Sequence, residues 1–401
     1  MRISRREFVT TTAATLVARP AATHAAITGS ARDQRFDPWI EVDAGALAYN
    51  VDVVSRLTGG RPILAVVKNN AYGLGLELVA GVLGPMPQIA GFAVVTTADA
   101  IALRDAGVSK AILLMAMAAE QDLADLLARD IRLSLFTDDQ IDPLAAAANA
   151  RAAAAPVHLY LDTGMGRMGM PYHRALPWRE RIAAQHQLRV ESSFTEFAEE
   201  EAFDREQLSR LVETVRLAQE RGLSMGSLHA ASSNGVYHLP EAHLDMVRPG
   251  IALYGAYPSR PDEERSKAEL RPAFRLRARV ARVERMRPGD GASYGRRWIA
   301  ERPTWTATLP VGHSDGYTRQ AVNGARVLID GRLYPVIGAV SASHCIIEVG
   351  EEQTVRVGDV ATLVGPDHTG IHPNALAEAT GTSVYDVLMH LSPGLPRRLV
   401  Q

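Results

Sequence analysis

The sequence predicts an α/β protein in two parts: a (β/α)8 barrel of the TIM type over residues 36–260, then a mainly antiparallel β domain over residues 268–401. From Trp39 to about Tyr254, short apolar runs alternate with longer Ala- and Leu-rich stretches of helical spacing. After the charged, proline-containing segment from Ser259 to Pro272, the runs alternate apolar and polar residues and are separated by Gly and Asp turns. A chain of 401 residues is long enough for two domains.

Eight runs in the first part are typical of buried parallel strands, and eight is the number that closes such a barrel. An open doubly wound sheet is the alternative, but no G-x-G-x-x-G follows the first run. Polar residues follow several different runs, which favours the barrel because its strand ends share one face. The runs are ILAVVK, AGFAVV, AILLM, RLSLF, VHLYLD, LRVESSF, SMGSLH and LDMVRP.

Runs with strand alternation make up the second part, and Gly and Asp separate them. This pattern is typical of an antiparallel sheet built from hairpins. The runs are FRLRARVARVERM, TWTATLPV, ARVLIDGRLYPVIGAV and TVRVGDVATLVG.

Composition excludes several partners. A net charge of -2 gives no general attraction to nucleic acid or to anionic membranes. The single cysteine, Cys345, cannot close an intrachain disulfide, and no His or Cys cluster has the spacing of a zinc site. After the N-terminal segment, no run approaches the length that a membrane span needs. We therefore expect no metal, no nucleic acid and no membrane as partners.

Residues 1–26 resemble a twin-arginine export signal. Arg5 and Arg6 precede a mildly apolar run of small residues that ends near Ala25, although Arg19 interrupts it. We expect export to the periplasm, and a disordered basic N-terminus is the alternative. The twin-arginine route carries folded proteins.

The strongest local signal is AVVKNNAYGLG, in which an apolar strand ends at Lys68. A lysine at a strand end in a barrel mouth can form an imine with a carbonyl cofactor and later act as a base. Taken alone, such a lysine is more often a solvated charge.

This segment resembles the cofactor-lysine segment of the alanine racemase family, which comprises pyridoxal-phosphate-dependent amino acid racemases of fold type III. Further matching segments follow in the family's order and extend the similarity from Trp39 to Arg397. They are LDTGMGRMG, HAASSNGVY, LDMVRPGIALYG, the SYG that begins at Ser293, PVGHSDGYTR and the Tyr-Asp pair in SVYDVL.

The resemblance implies that Lys68 is the Schiff-base lysine and the base on one face of the substrate α-carbon. Tyr294 is similar to the base on the opposite face, which the partner subunit supplies in this family. A homodimer with shared active sites is therefore implied, with a free amino acid as substrate. Racemisation requires two such bases, since one removes the α-proton while the other delivers one.

Arg248 resembles the arginine that hydrogen-bonds the pyridine nitrogen, and its permanent charge disfavours protonation of that nitrogen. This favours racemisation over transamination. Without the resemblance, Arg248 has the simpler interpretation of a surface arginine in a salt bridge. His229 resembles the residue that supports this arginine, and Arg167 the arginine near the cofactor's phenolic oxygen and the substrate carboxylate. The other positions that match cofactor contacts are Tyr72, Ser233, Gly250, Ile251 and Tyr385.

The sequence departs from the family pattern around the substrate. Glu196 replaces the histidine of Thr-His-Phe-Ala, and two roles are open to it: accepting a proton from Tyr294 or pairing with Arg248. His313 replaces a tyrosine at the substrate entrance. Tyr160 stands where many members have a lysine that braces the arginine equivalent to Arg167.

Ala342 and Ser343 replace a methionine and an aspartate that border the family's small alanine pocket, and Ala339 replaces an arginine. The pocket is therefore expected to be larger, and Glu196, Glu199 and Glu200 make it more acidic. We expect a substrate bulkier than alanine, with cationic amino acids such as lysine, arginine or ornithine among the candidates. The alternatives are neutral drift in a generalist or poorly active homologue, another reaction on the same fold (decarboxylation, retro-aldol cleavage or elimination), and a catalytically weak cofactor-binding protein.

Overall fold

A computed structural model describes residues 35–401, which belong to one compact unit. The expected export signal, residues 1–26, lies outside the described residues. Up to residue 238 the elements are β1 (Trp39–Asp43), α1 (Ala44–Leu57), β2 (Ile63–Val66), α2 (Lys68–Tyr72), α3 (Leu76–Leu83), β3 (Ile89–Val94), α4 (Thr97–Asp105), β4 (Ala111–Leu114), α5 (Leu123–Ala128), β5 (Ile131–Leu135), α6 (Ile141–Ala150), β6 (Ala155–Asp162), β7 (Met170–Pro171), α7 (Ala175–Ala183), β8 (Leu188–Phe194), α8 (Glu201–Glu220), β9 (Ser227–His229) and α9 (Ser233–His238).

The remaining elements are mostly strands, as the alternating runs predict. They are α10 (Pro261–Lys267), β10 (Phe274–Arg279), β11 (Arg282–Met286), β12 (Gly291–Ala292), β13 (Trp298–Ile299), β14 (Thr304–Leu309), β15 (Arg326–Ile329), β16 (Arg332–Ile337), β17 (Cys345–Gly350), β18 (Val360–Val364), α11 (Pro373–Thr380), α12 (Val384–Met389) and β19 (Arg397–Val400).

The barrel is a ring of parallel strands in the order β2-β3-β4-β5-β6-β8-β9. The last predicted run closes it, because Met246 bridges to His229 and Val247 bridges to Ile63. The amide of Leu64 donates to the carbonyl of Val247 at 2.9 Å. The predicted barrel is thus confirmed, and the carboxyl ends of its strands lie on one face.

Local sequence explains where several helices begin. The carboxylate of Asp43 accepts a hydrogen bond from the amide of Ala46 at 2.9 Å and caps α1. The hydroxyl of Thr96 accepts from the amide of Asp99 at 3.1 Å and caps α4. Such caps satisfy amides that the first turn leaves without partners.

The second sheet has the order β11-β14-β17-β16-β15-β18-β10-β1-β19 and confirms the mainly antiparallel β domain. β15 and β16 form a hairpin whose two-residue turn is Asp330 and Gly331, with φ of 47° and 75°. Positive φ at both positions is the geometry that favours Asp-Gly in tight hairpins.

β1 belongs to this second sheet, although it lies within the residues 36–260 that the sequence assigns to the barrel. It pairs antiparallel with β10 and parallel with β19. Glu41 forms an ion pair with Arg277 of β10 at 3.3 Å, which supports this register. The run WIEVD is too short to identify its sheet, so its long-range pairing distinguishes the two positions.

Within residues 35–401, no helix combines the length and the apolar character that crossing a membrane requires. The same residues contain no group of three or more His, Cys, Asp or Glu side chains placed to hold a metal ion.

Candidate active site

Lys68 follows β2 at the barrel mouth and begins α2, which is a left-handed turn and not a right-handed helix. The four residues Asn69–Tyr72 all have positive φ, between 51° and 57°. A left-handed turn costs non-glycine residues roughly 1–2 kcal/mol each. Backbone hydrogen bonds hold it, from the amide of Gly73 to the carbonyl of Asn69 at 3.0 Å and from Gly75 to Asn70 at 2.9 Å.

The Lys68 amine is partly buried, and desolvation lowers its pKa from the usual value. Glu196 opposes this shift and Arg167 adds to it. A lowered pKa increases the fraction of neutral amine, which is the form that attacks a carbonyl carbon. Lys68 therefore has the properties of a nucleophile rather than of a solvated surface charge.

Tyr72 lies directly over Gly250. A Cβ atom at position 250 would stand 2.1 Å from the Tyr72 hydroxyl oxygen, so only glycine fits there. The hydroxyl oxygen of Ser233 accepts from the amides of Gly250 at 3.0 Å and Ala252 at 3.2 Å. Its own hydrogen is then free to be donated to an anion, and Ile251 lies between these two amides.

Tyr385 of α12 brings the end of the chain to the same place. Its ring centroid lies 6.3 Å from that of Tyr72, which in turn packs at 4.7 Å on Tyr254. Burial raises the pKa of Tyr72 and of Tyr385, so both hydroxyls stay protonated and can donate. Tyr254 is fixed by its bond to the carbonyl of Val66 at 3.0 Å.

Arg248 is buried, with 2% of its surface exposed, and this excludes the simpler interpretation as a surface arginine. Its Nη1 donates to Nδ1 of His229 at 2.8 Å and to the His229 carbonyl at 2.7 Å. Its Nη2 donates to the carbonyl of Thr195 at 2.7 Å. Among the described residues no hydrogen bond is found for Nε, so that N–H can be donated to a ligand.

His229 is completely buried and continues this network. Its Nε2 lies 3.1 Å from Nδ1 of His158 on β6. Its ring stacks on Phe194 with centroids 4.9 Å apart. Burial lowers the pKa of His229 well below the usual value, and the charge of Arg248 adds to this. The imidazole is therefore neutral.

Glu196 pairs with Arg248, which is one of the two roles that the sequence left open. Its Oε2 lies 3.2 Å from Nη2 of the arginine. The loop that carries it is fixed by Gln207, which donates to the Glu196 carbonyl at 3.1 Å and accepts from the amide of Ala198 at 2.8 Å.

Tyr160 provides the support for Arg167 that the missing lysine would give. Burial raises the pKa of the Tyr160 phenol, and the charge of Glu196 adds to this. A hydrogen bond with Arg167 opposes the shift. The phenol thus stays neutral while it contacts the guanidinium.

Ten of the predicted site residues form what we call the barrel-mouth group: Lys68, Tyr72, Arg167, Glu196, His229, Ser233, Arg248, Gly250, Ile251 and Tyr385. The structure brings these ten predicted residues to the carboxyl face of the barrel. They combine an amine of lowered pKa, a set of hydroxyl and amide donors, and a buried guanidinium.

Four other predicted residues form the β-domain group: Tyr294, His313, Ala342 and Ser343. Tyr294 has 78% of its surface exposed. Ser293, just before it, has φ of 61° and donates to the carbonyl of Ala339 at 2.7 Å. The amide of His313 donates to the carbonyl of Ser341 at 3.0 Å. Residues 338–344 thus form hydrogen bonds both with the turn that carries Tyr294 and with the turn that carries His313.

Within residues 35–401, no hydrogen bond, ion pair or ring contact joins the β-domain group to the barrel-mouth group. Tyr294 is therefore not placed beside Lys68 by contacts within one chain. Its side chain is available to another molecule.

Sequence reasoning missed His158 and the Thr195 carbonyl, both of which support the buried arginine network. His158 and Tyr160 are polar residues two positions apart in an otherwise apolar strand. Since alternate residues of a strand share a face, this spacing was a signal that both point into the barrel. No side-chain pattern indicates the role of a backbone carbonyl.

Comparison with known proteins agrees with this arrangement. The family described as "Alanine racemase, N-terminal domain" matches residues 42–258, and "Alanine racemase, C-terminal domain" matches residues 273–399. The alanine racemase of Desulfovibrio desulfuricans is 34% identical over 370 residues, covering 90% of this chain and 98% of that protein. That of Geobacter sp. is 34% identical over 372 residues, covering 90% and 97%.

Solved structures give the same result. The alanine racemase from Streptomyces coelicolor has a TM-score of 0.86 and 29% identity, covering 92% of this chain and 99% of that one. The enzyme from Streptomyces lavendulae has a TM-score of 0.85 and 28% identity, covering 92% and 98%. Because two family domains and relatives above 30% identity span nearly the whole described chain, the protein belongs to the alanine racemase family and is a pyridoxal-phosphate-dependent amino acid racemase.

Proposed function

We propose that this racemase acts on a free amino acid larger than alanine and works as a homodimer with shared sites. Lys68 addresses one face of the α-carbon, and Tyr294 of the partner subunit addresses the other. The observation that carries this proposal is the separation of the two groups: Tyr294 is 78% exposed, and within residues 35–401 no hydrogen bond, ion pair or ring contact joins it to the barrel-mouth group.

The donors at the barrel mouth fit pyridoxal phosphate. The Ser233 hydroxyl accepts from the amide of Gly250, and the Tyr72 hydroxyl leaves no room for a Cβ atom at that position. The ring of Tyr385 lies 6.3 Å from that of Tyr72. Neutral hydroxyls and amides suit a phosphate. When bound, the cofactor supplies a carbonyl carbon for an amine and a ring that withdraws electrons from the α-carbon.

The residues of the chain then have separate tasks. The three hydroxyls would hold the phosphate, and the free Nε–H of Arg248 would be the donor to the ring nitrogen. Because a guanidinium does not release its proton, Arg248 would donate this hydrogen bond without protonating the nitrogen. Lys68 Nζ, with its lowered pKa, accepts or returns the α-proton on one face. Arg167, held by Tyr160, is placed for a carboxylate.

Three features support a larger and cationic substrate. Ala342 and Ser343 are exposed and short, so they leave room beside the proposed position of the substrate side chain. His313 is held by Arg319, whose Nη2 lies 2.7 Å from its Nε2. An acidic cleft also opens on the barrel, lined by Glu199, Glu200, Glu201, Asp204, Asn234, His238, Leu239, Ser259 and Arg260.

The test is substrate profiling of the protein loaded with pyridoxal phosphate. Chiral chromatography over a panel of L-amino acids in deuterated water measures both inversion and label at the α-carbon. We expect faster turnover of lysine, arginine or ornithine than of alanine, since one methylene-sized difference changes discrimination by roughly 1–3 kcal/mol. Fastest turnover with alanine would overturn the proposed size. A keto acid or aldehyde as main product would instead indicate another reaction.

We also propose that residues 1–26 direct export to the periplasm, on the basis of Arg5 and Arg6. Replacing both arginines by lysine should leave the protein inside the cell when periplasmic and cytoplasmic fractions are compared. Equal distribution of the two forms would contradict the proposal.

A further inference from the structure

The ion pair between Glu196 and Arg248 is unusual in the setting of this site. Arg248 is 2% exposed, and 24% of the Glu196 side chain is exposed, so water screens the pair weakly. Apart from Glu196, the hydrogen-bond acceptors around the guanidinium are neutral: the His229 ring, whose pKa is far below its usual value, and the carbonyls of Thr195, His229 and Ala230.

The carboxylate is held in place through its backbone. Gln207 is completely buried and contacts the loop on both sides of Glu196, at the Glu196 carbonyl and at the Ala198 amide. Thr195 is tied to Thr163 by a hydroxyl contact of 2.7 Å. A carboxylate on so fixed a loop keeps its distance to the guanidinium, unlike one on a mobile surface chain.

We propose that Glu196 is a positioning residue that offsets the charge of Arg248, so that the cofactor's ring nitrogen faces a nearly neutral ion pair. This rests on the proposed binding of the ring nitrogen at Nε. An isolated guanidinium opposes protonation of a neighbouring nitrogen by repulsion between like charges. With Glu196 beside it, the repulsion is smaller and the nitrogen is more basic.

The influence of this carboxylate reaches other groups of the site. Its charge raises the pKa of Lys68 and so opposes the effect of burial there. It also raises the pKa of Tyr72, Tyr160 and Tyr385, where it adds to the effect of burial. Its removal should therefore change both the ring nitrogen and the amine of Lys68. A role limited to folding of the loop would change neither.

The experiment uses Glu196→Gln, which keeps the size of the side chain and removes its charge. The protein is loaded with pyridoxal phosphate labelled with ¹⁵N in the ring, and the nitrogen resonance is followed by NMR as a function of pH without substrate. We expect the apparent pKa of the ring nitrogen to fall by about one unit relative to the wild type. Glu213→Gln, which removes an exposed carboxylate of α8 that pairs with Arg216, is the control and should leave the resonance unchanged.

Glu196→Asp retains the charge at a greater distance and should give an intermediate pKa; it also serves as the test variant if the glutamine variant does not fold. Thermal melting establishes that each variant is folded. An identical titration in the wild type, Glu196→Gln and Glu196→Asp would overturn the inference. If the wild type itself retains no labelled cofactor, the proposed cofactor site is wrong instead.

Discussion

Arg248 donates a hydrogen bond from Nη1 to Nδ1 of His229 over 2.8 Å. Since a guanidinium only donates, Nδ1 of His229 must accept, and the proton of this neutral ring is on Nε2. That proton points at Nδ1 of His158, 3.1 Å away, which must then accept as well. One arginine thus fixes the tautomers of two buried histidines.

The neutral histidines predict a loss of stability in acid. Burial lowers the pKa of His158 to about 3, against 6.5 for an ordinary histidine. Between these values the unfolded chain binds a proton that the folded chain does not, so the free energy of unfolding falls as the pH decreases. Each such histidine contributes a slope of about 1.4 kcal/mol per pH unit. Urea unfolding of the wild type and His158→Leu should show a smaller slope in the variant, and equal slopes would contradict the assignment.

Gly250→Ala should prevent retention of the cofactor. The new methyl group would stand 2.1 Å from the Tyr72 oxygen, so the phenol must leave the phosphate cradle. We expect at least about a tenfold loss of cofactor affinity, measured by absorbance after dialysis. Gly81→Ala is the control, because that glycine in α3 has open space around it. Equal retention by both variants would argue against the cradle.

Mixed dimers test the sharing of active sites. Lys68→Ala and Tyr294→Phe should each abolish or severely reduce racemisation. After unfolding and refolding together, half of the dimers should be mixed, and each of these has one intact site if the tyrosine crosses between subunits. About a quarter of the wild-type activity should return. No recovery, with mixed dimers demonstrated by mass spectrometry, would show that both bases come from one chain.

Tyr160→Phe removes the hydroxyl that contacts Arg167 and keeps the ring that stacks on Phe194 with centroids 4.3 Å apart. We expect KM for the amino acid to rise about tenfold, since a hydrogen bond to a charged group contributes about 1.5–3 kcal/mol. The melting temperature should change little. Steady-state kinetics measures the first effect, and an unchanged KM would mean that Arg167 is positioned by other groups.

Much of the fold could be predicted from the sequence, because periodicity reports which faces of a strand are buried. The eight barrel runs and the Asp330-Gly331 hairpin are local patterns, and both are found in the structure. The position of β1 was not predictable in this way, since its pairing partners lie more than two hundred residues away.

The candidate site likewise has features that the sequence predicted and features that it could not predict. Lys68, Ser233 and Arg248 follow strands and were expected at one mouth. The left-handed turn was not expected, because nothing in the types of Ala71 or Tyr72 favours positive φ. Tertiary contacts impose it, and it carries the Tyr72 ring to Gly250. The pairing of Glu196 with Arg248 was also not predictable, because it depends on distances that the sequence does not contain.

The pairing of β1 with β19 has a consequence for biosynthesis. The first described strand has one neighbour in β10 and the other in the last strand of the chain, and Tyr385 comes from the helix just before that strand. A ribosome-bound chain with a complete barrel still lacks one edge of its second sheet and one hydroxyl of its phosphate cradle. Capture of pyridoxal phosphate should therefore follow emergence of residues 385–400 from the ribosome, and removal of β19 should impair both sheet assembly and cofactor uptake.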